Sequence, residues 1–137
     1  MEQVAPSEVR PLVLVAPTRK AVSLTESVFC FLNLSAKFTS WNDVERGMLW
    51  AYNLNYMDWL GQEGISVEEK VRWIDMFIHD FPQNHVGSAP YPTALRAINW
   101  VKFFCLHPEV RTQIRDNSLY SQLCLLSRNL EFHLLGN

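Results

Sequence analysis

Apolar positions along this chain change rhythm near Trp41. Before it they come in short runs. Leu12-Val-Leu-Val15 lies among Pro6, Pro11 and Pro17 and reads as a tail or edge segment. Val28-Phe-Cys-Phe-Leu-Asn-Leu34 is rich in aromatic and β-branched residues, so it predicts a strand, with polar Ser35-Ala36-Lys37 after it. Beyond Trp41 the period becomes helical. Asn42 or Asp43 is placed to cap a helix that runs through Gly47-Met-Leu-Trp-Ala-Tyr-Asn-Leu-Asn-Tyr-Met-Asp-Trp-Leu60, and Gly61 and Gly64 break it. Ser66-Val-Glu-Glu69 is a capping box, in which the Ser oxygen accepts from the backbone three residues on. The helix it opens carries Val67, Val71, Ile74, Ile78 and Phe81 on one face and ends at Pro82.

Residues 82–92 predict a loop. Pro92-Thr93 then starts a third helix, Ala94 to Leu106, stopped at His107-Pro108. Its second half is apolar nearly all round, as in a helix buried between neighbours. Asp116 or Asn117 can cap a last helix with Leu119, Leu123, Leu126, Leu130 and Leu134 near helical spacing. No internal repeat is visible. Antiparallel helices on short links predict an all-α bundle or array of helical hairpins over residues 41–137. Residues 1–40 form an N-terminal extension able to hold short strands.

Composition narrows the function classes. With 137 residues, 48% hydrophobic and 19% charged, the chain has the profile of one packed globular unit. A formal net charge of -2 gives no basic surface from the total, which weighs against nucleic acid as a partner. Cys30, Cys105 and Cys124 are far apart and show no CxxC spacing, so buried free thiols are expected rather than a disulfide scaffold or zinc site. His79, His85, His107 and His133 form no HxxxH or HExxH pattern, and no metal or cofactor is expected. No apolar run reaches the ~20 residues of a membrane span. The N-terminal sequence lacks a basic start followed by a long apolar run, so it does not read as a signal peptide. Five Trp and eight Phe are many for this length; such rings fill cores and also line carbohydrate clefts.

Three stretches go beyond generic helix: LWAYNLNYMDWL (49–60), PYPTALRAINWVKF (90–103) and NLEFHLLGN (129–137). In this order, from about Phe31 onward, the chain resembles the N-terminal helical domain of the heparinase II/III-like polysaccharide lyases. Ser88 and Ala89 stand where that family often has Trp and Asp before PYP. The resemblance implies an incomplete α/α toroid of helical hairpins followed by a β-sandwich domain. It also implies β-elimination on uronic-acid polysaccharides, heparin-like or alginate-like. Such chemistry must neutralise the substrate carboxylate, remove the adjacent proton and protonate the leaving oxygen. The resemblance assigns carboxylate neutralisation to Asn137, and places the family's catalytic Tyr and His downstream. The expectation is then a truncated chain, inactive alone, whose apolar helix faces favour self-association. The parent enzyme is expected in the periplasm or outside the cell, with the cytoplasm as the alternative.

The substrate-binding candidates are Asn53, Tyr56, Arg96, Asn99 and Trp100. Arg96, Asn99 and Trp100 share a helical face and combine a cation, an amide and a ring, a set that suits an acidic sugar. The alternative for Arg96 is pairing with a carboxylate between helices. Asn53 and Tyr56 share a face at i, i+3, and amides at Asn53 and Asn55 go against helix propensity, as in a lined cleft or a buried polar network. Tyr91 reads as a packing residue between two prolines. His133 and Glu131 read as a capping or interhelical pair rather than an acid–base pair. Trp41, Trp50, Trp59 and Trp73 are expected in the core. Two rivals stand beside the lyase: a non-catalytic helical module that binds sugar or protein, and a toroid glycosidase. The second would need two carboxylates flanking a cleft, from Asp58, Asp75, Asp80 and Glu131.

Overall fold

Three short strands, β1 (Ser23–Thr25), β2 (Val28–Phe31) and β3 (Leu34–Lys37), pair antiparallel in the order β1-β2-β3. The computed structural model describes residues 3–5 and 23–135; the Leu12–Val15 run, Gly136 and Asn137 lie outside them. Two-residue turns join the strands, Glu26-Ser27 with φ 49 and 66 and Leu32-Asn33 with φ 55 and 62. Consecutive positive φ values match the twist of the flanking strands, although neither turn contains glycine. The single strand expected over Val28–Leu34 is corrected: the chain reverses at Leu32-Asn33, and Ser35–Lys37 belongs to β3. This register turns Phe29 and Phe31 together onto the buried face.

A side chain couples the sheet to the helices. Leu24 N donates to Gln62 Oε1 (2.9 Å) and Gln62 Nε2 donates to Leu24 O (3.2 Å), so one amide stands in for a neighbouring strand. Lys70 Nζ donates to Gln62 O (2.7 Å), and its burial lowers the ammonium pKa.

Four helices follow: α1 (Met48–Tyr56), α2 (Val67–Asp80), α3 (Pro90–Leu106) and α4 (Gln113–Leu135). The described chain is therefore mostly helical with one small sheet. Neither Asn42 nor Asp43 caps α1. Asp43 Oδ1 instead accepts from Glu45 N (3.1 Å), Asp43 pairs with Arg46, and Gly47 with φ 94 precedes the helix. Asn42 is used further away: its Nδ2 donates to Gln83 O (2.8 Å) and its Oδ1 accepts from Val86 N (3.1 Å). α1 also ends before the expected Leu60. Met57 is left-handed (φ 56, ψ 36), and a 3-10 turn, Asp58–Gly61, continues from it. A left-handed Met costs roughly 1–2 kcal/mol. Burial offsets this: Met57 is fully inside, and its Sδ accepts from Trp100 Nε1 (3.2 Å).

Ser66 caps α2 as expected, its Oγ accepting from Glu69 N (3.1 Å). The buried stripe is Lys70, Trp73, Ile74 and Phe77, while Val67, Val71, Ile78 and Phe81 pack along its margins. The aliphatic pattern located the right side of the helix and missed its centre, which two rings occupy. α3 begins at Pro90, before the expected start, because proline is tolerated in a first turn. α4 likewise begins before Asp116: Thr112 O accepts from Asp116 N (2.9 Å) and Thr112 Oγ1 from Arg115 N (3.2 Å). Asp116 pairs with Arg111 instead (2.8 Å). Gln122 is buried, Leu119 packs on the core, and Leu123 and Leu130 are exposed. Residues 3–5 lie against this helix, with Gln3 N donating to Ser121 Oγ (2.9 Å) and Ala5 N to Asn117 Oδ1 (2.7 Å).

The core is a chain of rings. Phe29 meets Trp73 (5.1 Å), Trp73 meets Trp41 (6.1 Å), Trp41 meets Phe77 (5.1 Å) and Phe77 meets Trp100 (5.7 Å), all edge-to-face. Such pairs add about 0.5–1.5 kcal/mol each beyond area burial. Trp41, Trp50, Trp59 and Trp73 are all buried, as the sequence indicated. The cysteines are free thiols but only half-buried. Among the described residues no helix is long and apolar enough to cross a membrane.

Candidate functional site

The two helices that carry the first two motifs, α1 and α3, pack against each other. Two polar regions form along their contact. The inner one starts at Asn55 on α1. Its Nδ2 donates to Ala51 O (2.8 Å) and Trp41 O (2.8 Å), and its Oδ1 accepts from Asn84 Nδ2 (2.9 Å). Asn84 Oδ1 accepts in turn from Gly87 N (2.7 Å). Gly87 is required here for space: a Cβ would lie 2.4 Å from both Asn55 Oδ1 and Asn84 Nδ2. Thr93 Oγ1 then donates within the same loop, its two acceptors being Gly87 O (3.1 Å) and Ala89 O (2.8 Å).

Arg96 closes this seam. It is 0% exposed, and its Nε donates to Gln122 Oε1 (2.7 Å), Nη1 to Asn55 O (3.2 Å) and Nη2 to Thr93 Oγ1 (3.3 Å). The guanidinium also lies over the Phe77 ring, 4.2 Å from its centroid. These partners are all neutral, and burial pushes its pKa down to about 9, still above neutral pH. Arg96 thus joins α1, α3 and α4 as a buried cation held by amide, carbonyl, hydroxyl and π faces. The expectation that it presents charge to a substrate is corrected, because no part of it reaches solvent. So is the carboxylate alternative, since its acceptors are neutral. Trp100, also 0% exposed, is core rather than a stacking surface.

The outer region is the candidate site. Tyr56, at the C-terminal end of α1, packs between Tyr52 (centroids 6.3 Å, tilted) and Tyr91 (5.6 Å, perpendicular). Tyr91 is 60% exposed, so it is a surface ring and not the packing plug its flanking prolines indicated. Tyr56 is 6% exposed, and its hydroxyl is buried with no hydrogen-bond partner. An unsatisfied buried hydroxyl costs roughly 1–3 kcal/mol, so its presence asks for an explanation. Burial first, then Tyr91, Tyr52 and Asp58, push the phenol up to about 12. At neutral pH it is a hydrogen-bond donor and acceptor and a poor base. Asn99 of α3 sits beside it, its Nδ2 donating to Tyr56 O (2.9 Å) and Asp58 Oδ1 (2.6 Å). The left-handed Met57 makes this meeting possible by turning the chain so that Asp58 faces α3.

Of the predicted residues, Tyr56 and Asn99 come together. Asn53 stays half-buried on α1 with its Nδ2 donating to Leu49 O (2.8 Å). Asn137, and the side chains of Glu131 and His133, lie outside what is described. Tyr52, Asp58 and Tyr91 also belong to this site and were not among the expected binding residues; the i, i+4 spacing of Tyr52 and Tyr56 is the signal the sequence carries for it. The aspartates weighed for a glycosidase are separately engaged. Asp75 takes both Arg115 Nε and Nη2 (2.8 Å each), and Asp80 accepts from Trp41 Nε1 (3.1 Å). A concavity of about 250 Å³ lies away from this cluster, beside Trp41, Asn42, Asp80 and Gln83. Among the described residues no group of His, Cys, Asp and Glu could hold a metal ion. No protein-family model matches the chain, and comparisons with curated proteins and with solved structures return no match.

Proposed function

We propose that this chain forms part of the substrate-binding helical layer of a polysaccharide lyase resembling the heparinase II/III-like enzymes. In that reading the helices belong to an α/α toroid, and the reaction is β-elimination on a uronic-acid polysaccharide. The observation that carries the sugar-binding part is the Tyr56 hydroxyl: buried, unpartnered, and flanked by one half-buried and one exposed tyrosine ring. Rings beside a hydroxyl and an amide suit a pyranose, which offers C–H faces and O–H edges together. The lyase part rests on the three ordered motifs, two of which supply helices whose polar residues meet at this cluster. Exposed Leu106, Leu123 and Leu130 are the kind of surface that further hairpins of a toroid would cover.

The division of labour follows from protonation. A phenol whose pKa is raised by burial stays protonated at neutral pH, so the role proposed for Tyr56 is a hydrogen bond to the sugar. Carboxylate neutralisation is assigned to Asn137, and Tyr56 is given no part in proton transfer. The protein is expected to bind uronate oligosaccharides without forming unsaturated product. Calorimetric titration with heparin-like and alginate-like oligosaccharides tests this, with ultraviolet absorbance of the product followed in parallel. Absence of binding to every uronate polymer tried would sink the reading. The second reading, a non-catalytic carbohydrate-binding module, draws on the same observation, because the cluster offers contacts and no acid–base pair. Binding of neutral sugars with no affinity for uronates would favour it.

A further inference from the structure

We infer that the tyrosine cluster selects its ligand by ring and hydroxyl contacts and not by charge, with Tyr56 and Tyr91 as the specificity-determining residues. The inference rests on the sugar-binding reading above and concerns which feature of the sugar is read here. Its starting point is where Arg96 goes. The cation that the sequence offered for an acidic sugar is 0% exposed and committed to Gln122, Asn55 and Thr93. What remains at the cluster is a phenol, an amide already donating to Tyr56 O and Asp58 Oδ1, two further rings, and the Asp58 carboxylate, which is engaged by that amide and offers no attraction to an anionic sugar.

The Tyr56 hydroxyl is the one polar atom there buried without a partner. It can donate one hydrogen bond and accept others, the same capacity as a sugar hydroxyl. Tyr91 meets its ring at 90° and is 60% exposed, so Tyr91 is the side chain that can turn aside and let a ligand hydroxyl reach Oη. The exposed Tyr91 face then covers the C–H side of the sugar. None of these contacts depends on a carboxylate. A pyranose should therefore bind whether or not it is oxidised at its exocyclic carbon, and the uronate group should be read at another subsite.

The test compares a uronate oligosaccharide with the same oligosaccharide after carboxyl reduction. Both are titrated into the wild-type chain at low and high salt, with tyrosine ring signals followed by NMR. Expected are dissociation constants within about threefold of each other, little salt dependence, and shifts centred on Tyr52, Tyr56 and Tyr91. Tyr91→Ala should weaken both ligands at least about tenfold. Tyr56→Phe should weaken both by about two- to tenfold, the range of one hydrogen bond. Lys102→Gln, one turn along α3 from Asn99, should change neither. Binding of the uronate alone, lost at high salt or in Lys102→Gln, overturns the inference while leaving the lyase reading standing. Binding of the reduced form alone overturns the indifference to charge and the lyase reading together. Binding of neither overturns the inference and the sugar-binding reading.

Discussion

The seam around Arg96 and the cluster around Tyr56 lie along the same pair of helices and are built in opposite ways. In the seam every named polar atom has a partner, and the residue with the largest desolvation cost carries three hydrogen bonds and a ring contact. In the cluster the hydroxyl with the most to gain from a partner has none, and its neighbouring ring is exposed. A fully satisfied buried network fixes the relative placement of the elements it joins. A buried group left unsatisfied is a place where a ligand can improve on the protein. The two motifs supply both kinds of residue. Arg96 and Trp100 build the platform, and Tyr56 and Asn99 stand at its edge.

The largest expected effect comes from breaking the seam. Arg96→Ala removes three donors and a large buried volume, leaving Gln122 Oε1 and Asn55 O unmatched. It should destabilise the protein by about 3–5 kcal/mol in urea or guanidinium unfolding. Arg96→Lys should recover only part of this, because an ammonium cannot reproduce the planar fork. A loss below about 1 kcal/mol for Arg96→Ala would show that the network contributes little and that Arg96 could be spared for another role.

Gly87→Ala attacks the same seam from the loop. Its Cβ would meet the side chains of Asn55 and Asn84 at 2.4 Å, and both amides are already fixed by partners. A cost of roughly 1–3 kcal/mol is expected, from overpacking rather than from backbone conformation. Combining it with Arg96→Ala should give less than the sum of the two losses, because both act on one network.

These predictions use residues that sequence reasoning weighed unevenly. Helix existence and order were legible from Trp41 onward, because apolar period, Ser66 and the prolines all act locally. Strand count was not, since the reversal at Leu32-Asn33 uses a turn without glycine. The end of α1 was hidden for a similar reason: Met57 adopts a left-handed conformation that its type disfavours, and only the burial supplied by Trp100 explains it. At the site, residue types on α1 and α3 marked the right helices. Direction was the illegible part. Arg96 and Asn99 are one turn apart, but Arg96 is held inward by Gln122, 26 positions beyond it, and Asn99 by Tyr56 O and Asp58, more than 40 positions before it.

Tyr91→Ala sharpens the other side of the comparison. The ring is exposed and touches mainly Tyr56, so stability should fall by only about 0.5–1 kcal/mol, the value of one aromatic pair. Sugar affinity should fall far more than stability. The reverse split, a large stability loss with unchanged binding, would return Tyr91 to the packing role.

Tyr56→Phe is the smallest change and the most discriminating. It keeps the ring contacts with Tyr52 and Tyr91 and deletes only the unpartnered hydroxyl. At neutral pH the unfolding free energy should stay level or rise by up to about 1 kcal/mol, because a desolvated group without a partner is removed. The difference in favour of the Phe variant widens in alkali. Folding raises this phenol from 10.0 to about 12, so the native state favours the protonated form, and that contribution is fully present below 10. As pH rises through 10 the unfolded chain gives up the proton first, and the native protein loses stability until about 12. The Phe variant lacks this component, so its stability should fall less steeply over that window than the wild type's. If Tyr56→Phe instead destabilises the protein at neutral pH, its hydroxyl has a partner in solution, and the contrast between a satisfied seam and an open cluster fails.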